Sequence, residues 1–218
     1  VALDRSTPKS TLKSFQAALH AGDQDRANAC LAVDPKHTPT ESDGCVAWAL
    51  AQGRLMTAVR ARFGADTDMV LGNLRISMFT GFPALGIERI DGEAATLTIP
   101  AAVLKKAGAS PEEMAWGDKP LRFKKDKGGW LLDIDHSMVV KMALIGADAL
   151  PPVQSRARNA RVLMGLANML DEVTAQIKAG SLGTALDVNV AVRQGFQDVF
   201  EDNGGSDMQA VMAPAETK

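Results

Sequence analysis

Few side chains in this sequence could do acid–base or nucleophilic chemistry, and most stand apart from one another. The densest cluster is Asp133, Asp135 and His136, in which a carboxylate could orient the imidazole as a general base. The same run also reads as a polar strand end, with His136 and Ser137 capping a following helix. The other two histidines, His20 and His37, lie far from it. Cys30 and Cys45 flank a polar loop from Asp34 to Gly44, at a spacing that fits no metal-binding pair. They read either as one disulfide, as an exported protein could form, or as two buried thiols. No basic cluster adjoins either cysteine to activate it as a nucleophile. The chain holds no phosphate loop, dinucleotide fingerprint or nucleophile elbow, so neither a cofactor nor a metal is expected.

These residues must be positioned by elements whose order can be read from periodicity. Ser6, Thr7 and Pro8 start a helix carrying Leu12, Phe15 and Leu19, and Asp23 caps a short second one. A longer helix runs from about Cys45 to Phe63, with Trp48, Leu55, Val59 and Phe63 on its buried side, and another starts near Asp66. Leu85 to Ile90 and Ala94 to Ile99 are strands around the turn Asp91-Gly92. Pro120 to Lys125 and Trp130 to Asp135 form a second hairpin. After Pro151-Pro152 comes a helix to Ile177, then a glycine-marked break and a last helix to Phe200. Helices, antiparallel strands, then helices make an α+β chain with a bent sheet of about four strands and a C-terminal helical hairpin. The expected division is an α+β domain over 1–150, a helical hairpin packed on it over 151–201, and a flexible tail over 202–218.

Side chains alternate along a strand, which sorts the sheet into two faces. Leu97 with Ile99, Leu121 with Phe123, and Trp130 with Leu132 and Ile134 make an apolar inner face. Arg89, alternating with Leu85 and Ile87, is the one ionisable group expected to join it. Asp133 and Asp135 fall on the opposite, wet face, where they could pair with Arg122 and Lys124 across the hairpin. Arg89, Trp116, Phe123 and Trp130 are therefore the candidates for lining a ligand-binding space between sheet and helices, though ordinary core packing explains the three aromatics better. In the C-terminal hairpin, the expected core stripes include Met164 on one helix, and Leu186, Val190, Phe196, Val199 and Phe200 on the other. Met164 and Met169, with Met138 and Met142, could also line an adaptable groove. Arg156, Arg158 and Arg161 need compensation at a helix start, and an antiparallel return would bring Asp198, Glu201 and Asp202 to that end.

The stretch from Thr7 to Asp23, ending Ala21-Gly22-Asp23, and the hairpin from Leu121 to Asp135, in which Gly129-Trp130 leads an alternating strand, resemble the SnoaL-like, nuclear-transport-factor-like α+β cone superfamily. The resemblance covers about residues 7–136 and rests on a generic helix and a generic hairpin. It implies a bent sheet closed over by a helix, and a concave face that holds the acid or histidine in members that are enzymes. A ketosteroid-isomerase-like site would use a tyrosine, and this chain has none. The helical C-terminal third departs from the compact family pattern. Membership alone does not choose between enzymes and binding modules.

Composition narrows the field from the other side. The 218 residues carry 24 Lys and Arg against 26 Asp and Glu, a net charge of -2, spread without a basic region that would suit nucleic acid. Apolar residues make up 46%, enough for a core, yet no run approaches the length of a membrane span. The chain starts at Val1 without a methionine: either a leader has been removed, which makes the protein periplasmic or extracellular, or the start has been trimmed, which leaves a cytoplasmic protein open. The reading that results is a non-enzymatic module that binds a small apolar ligand or a protein partner. The alternatives are a cone-type acid/base enzyme using Asp133 or Asp135 with His136, and a structural domain that forms homodimers.

Overall fold

In the computed structural model, the described residues are 2–32, 41–64, 82–106, 119–135, 137 and 156–203. The chain is α+β, and its contacts cluster into two compact units, residues 1–38 with 76–144, and residues 39–75 with 145–218. The units do not divide at residue 150, because the helix over 41–63 clusters with the C-terminal helices.

The first unit opens with α1 (Pro8–Ala21), and local chemistry sets both of its ends. Thr7 accepts from the Ser10 N–H while Ser10 Oγ accepts from Thr7 N–H, a reciprocal cap, and Pro8 has no N–H to leave unsatisfied. Gly22, at φ +66, ends the helix. Asp23 then caps α2 (Gln24–Asn28). The helical turn α4 (Phe82–Leu85) precedes β1 (Ile87–Asp91), β2 (Ala94–Thr98) follows, and α5 (Ala101–Lys106) leads on to β3 (Leu121–Asp126) and β4 (Gly129–Leu132). The four strands form one antiparallel sheet in the order β1-β2-β3-β4. Gly92, at φ +58, makes the two-residue turn between β1 and β2 without strain.

The inner face of β2–β4 alternates as the sequence predicts. Leu97, Leu121, Phe123, Trp130 and Leu132 are buried there with α1, whose Leu12, Phe15 and Leu19 are buried in turn. Thr11 Oγ donates to the Trp130 carbonyl, fixing helix to strand. The β4 edge is closed by the N-terminal chain: Trp130 N–H donates to Arg5 O, Leu132 N–H to Cys30 O, and Ala32 N–H to Leu132 O.

The second unit is built on α3 (Glu41–Phe63), α6 (Arg156–Ala179) and α7 (Ala185–Asp202). Gly44 lies against Ala160 and Leu163, and further along Arg54 forms a two-pronged pair with Asp171, both contacts 2.7 Å, so α3 and α6 run in the same direction. The absence of a side chain at Gly44 permits this approach, since a Cβ there would stand 2.9 Å from that of Leu163. The α6–α7 turn contains Gly180 at φ +78, and Thr184 caps α7 with Asp187 reciprocating. The two helices form the antiparallel hairpin read from the sequence, with Gly165 against Val199 and Gly195 against Met169.

The stripe on α7 is out of phase with expectation. Leu186 and Val190 are exposed, and Ala185, Val188 and Val192 are buried instead. Met169 fits over Gly195, and that notch fixes which side of α7 faces α6. Met164 is also exposed, whereas Met169 is buried; Met138 and Met142 lie outside the described residues. Asp198 and Glu201 accept from Gln194 and Gln197 of their own helix; the side chains of Arg156 and Arg158 lie outside the described residues. Two buried polar atoms among the described residues are exceptions to the pairing rule: Arg26 Nη2 on α2 and Gln52 Oε1 on α3 have no hydrogen-bond partner.

Candidate functional site

The sheet has two faces of different character, and the residues that could recognise another molecule lie on the outer one. Ala95 and Leu97 point toward α1, and the register pairs them with Ile90 and Glu88 of β1. Arg89 therefore points the other way, opposite Thr96, and is exposed. This corrects the expectation that Arg89 shares an inward face with Leu85 and Ile87, both of which are exposed. The cause is visible at Glu88. Helix α1 has no acidic residue in its first turn, and the Glu88 carboxylate accepts the Lys9 N–H there at 2.7 Å, placing negative charge at the helix N-terminus.

Phe123 and Trp130 are 1% and 3% exposed and belong to the packed layer between sheet and α1. Lys125 Nζ sits 5.6 Å from the Trp130 ring centroid. Trp116 lies outside the described residues, so the four candidates for a ligand space are not brought together among them: two are core, and Arg89 is on the far face.

The acid cluster is likewise divided. Asp135 is exposed as expected, but Asp133 is only 5% exposed, where the alternation had placed it in water. It lies just beyond β4 on the outer face, its N–H donating to Arg122 O and its carboxylate 2.7 Å from Lys124 Nζ. The cross-hairpin pairing of opposite charges is thus present, and it shelters the carboxylate. His136 lies outside the described residues, and Ser137 Oγ accepts the Arg122 N–H.

The outer face carries one continuous cross-strand row: Arg89 on β1 faces Thr96 on β2, which faces Arg122 on β3. Adjacent strands are about 4.8 Å apart, so the two arginine stems rise about 10 Å from one another and their guanidiniums can both reach a group seated over Thr96. Lys124 is balanced by Asp133, whereas neither arginine has a carboxylate partner among the described residues. Sequence reasoning singled out Arg89 but missed the row, because the partnership of Arg89 with Arg122 passes through the β2–β3 register across more than twenty intervening residues.

No disulfide joins Cys30 and Cys45; each is a buried thiol. Burial pushes the Cys30 thiol up from its ordinary 9.0 to about 11, against the opposing pull of Arg5 and Arg26. The folded chain thus holds this proton more tightly than the unfolded chain. Its contribution to stability is fully present below about pH 9 and is lost between pH 9 and about 11, a fall of about 2–3 kcal/mol. Urea denaturation across that range should show a steeper alkaline loss for the natural chain than for Cys30→Ala; equal slopes would remove the assignment.

No family model, curated protein or solved structure matches this chain. What it recognises has to be argued from its own surface. No group of three His, Cys, Asp or Glu among the described residues could hold a metal ion, and no described helix is long and apolar enough to cross a membrane.

Proposed function

We propose that this protein is a non-enzymatic interaction module that binds an acidic protein segment on the outer face of its sheet. The observation that carries this reading is the row Arg89–Thr96–Arg122, two exposed guanidiniums with no carboxylate partner among the described residues, beside a lysine that is already neutralised. Two forked cations flanking a hydroxyl suit carboxylates well, because each guanidinium can donate two parallel hydrogen bonds. The inner face supports the same choice from the other side. It is filled by α1 with apolar side chains, so a small apolar ligand finds the candidate aromatics Phe123 and Trp130 already engaged in packing. The acid/base alternative is less well supported, since Asp133 is held by Lys124 and Asp135 is in solvent. The resemblance to the SnoaL-like superfamily remains part of our proposal, supported by a helix laid on one face of an antiparallel sheet.

The test uses a fluorescein-labelled octapeptide of alternating glutamate and valine, followed by fluorescence polarisation at low and moderate salt. Binding should weaken as salt rises. It should fall about tenfold or more in the Arg89→Glu/Arg122→Glu variant, equivalent to about 1.4 kcal/mol. The matching lysine–valine peptide should not bind. Unchanged affinity in the double variant would overturn the reading.

A further inference from the structure

The two edges of the sheet are treated differently. The β4 edge is covered by Arg5 and by Cys30 to Ala32, whose backbone groups bond to it. The outer edge of β1 has no backbone partner among the described residues. Every second residue of an edge strand turns its N–H and C=O outward, so β1 offers a template for one more strand. Its side chains are laid out accordingly. Ile87 and Ile90 are 57% and 56% exposed, and Arg89 between them starts the cationic row.

From this we infer that the acidic segment binds by strand addition: it lies extended along β1, continuing the sheet as its fifth member. Acidic residues at alternate positions of the segment lie on the outer face beside Arg89, which pairs with them directly, while Arg122, three strand spacings or about 14 Å away, adds longer-range attraction. The intervening residues lie on the inner side, where Ile90 offers apolar surface next to Ala95. Backbone hydrogen bonds supply affinity independent of sequence, and the alternation of acid with apolar residue supplies selectivity. Charge complementarity selects this occupant over a second copy of β1. The three charges on its five residues, Glu88, Arg89 and Asp91, are the kind that keep an edge from pairing indiscriminately. Copies paired about Arg89 would set two guanidiniums against each other.

The inference rests on the acidic-segment reading, and its test separates the two. The glutamate–valine octapeptide is made in two N-methylated forms, one methylated at the valines and one at the glutamates. In an added strand only one of these sets of N–H groups faces β1. One form should therefore lose binding at least tenfold and the other should bind as the parent does. Hydrogen exchange at residues 87–91 should slow when the parent peptide is added to the full chain. If both methylated forms bind like the parent while Arg89→Glu/Arg122→Glu still abolishes binding, strand addition is wrong and the charge reading survives. If the charge reversal has no effect, the underlying reading has failed. If residues 87–91 are already protected without peptide, and native mass spectrometry shows a dimer, a second copy holds the edge and the inference is overturned.

Discussion

Gly129→Ala should destabilise the first unit by about 3–5 kcal/mol, a large share of the roughly 5–15 kcal/mol by which ordinary domains are stable. Gly129 begins β4 at φ +123, where an L side chain is strained by about 1–3 kcal/mol. The surroundings add to that cost. A Cβ would overlap the Arg5 carbonyl oxygen and lie 2.9 Å from the Arg5 Cβ. Neither of those atoms can swing aside, because the Arg5 carbonyl accepts the Trp130 N–H at 2.8 Å and so closes the β4 edge. Relieving the overlap means moving the N-terminal chain off the strand or forcing close contacts, at a further cost of about 1–3 kcal/mol. Gly92→Ala supplies the control. Gly92 also has a positive φ, +58, but a Cβ there would meet nothing within 4 Å, so only the backbone cost of about 1 kcal/mol applies. Denaturant midpoints of both variants decide the matter. A Gly129→Ala loss no larger than that of Gly92→Ala would mean that the Arg5 segment does not hold the edge.

Where the sequence was legible, a residue's own chemistry acted within a few positions of itself. Thr7, Pro8 and Ser10 define the start of α1, Gly22 its end, and Asp23 the start of α2, because cap and turn preferences are local. Inner and outer faces of β2, β3 and β4 were legible because one face is uniformly apolar. Strand β1 was not. Ile87 and Ile90 are three positions apart and must lie on opposite faces, so the pattern assigns neither face to the core, and the decision falls to a distant contact, Glu88 with Lys9. A related ambiguity misplaced α7, where Leu186, Val188, Val190 and Val192 offer two competing stripes and only the Gly195 notch against Met169 selects between them. The parallel pairing of α3 with α6 depends on Gly44 and on Arg54 finding Asp171, partners separated by the entire sheet's sequence. The candidate site shares this character. Arg89 was identifiable, but its companion Arg122 and the shelter that Asp133 finds beside Lys124 follow from strand register alone.

Phe123→Ala separates a core from a ligand space most sharply, and it should cost about 3–5 kcal/mol. Phe123 is fully buried in the middle of the sheet, opposite Ala95 on one side and Leu132 on the other, beneath the layer in which Phe15 of α1 is also fully buried. Removing the ring forfeits the free energy of taking its apolar surface out of water. It also leaves a cavity that the surroundings fill only in part, because the neighbours are held by strand pairing and by the Thr11–Trp130 hydrogen bond. Had Phe123 lined a space kept open for a ligand, its truncation would enlarge a void already present, and the loss would be about 1 kcal/mol or less. The peptide assay distinguishes the two from another direction. Measured where the variant is still folded, binding of the glutamate–valine octapeptide should be almost unchanged, since Phe123 points to the inner face and the arginine row to the outer one. A small stability loss would return the interior to consideration as a binding site. A large loss with binding intact would leave recognition on the outer face, with the inner face serving to hold Arg89, Thr96 and Arg122 in register.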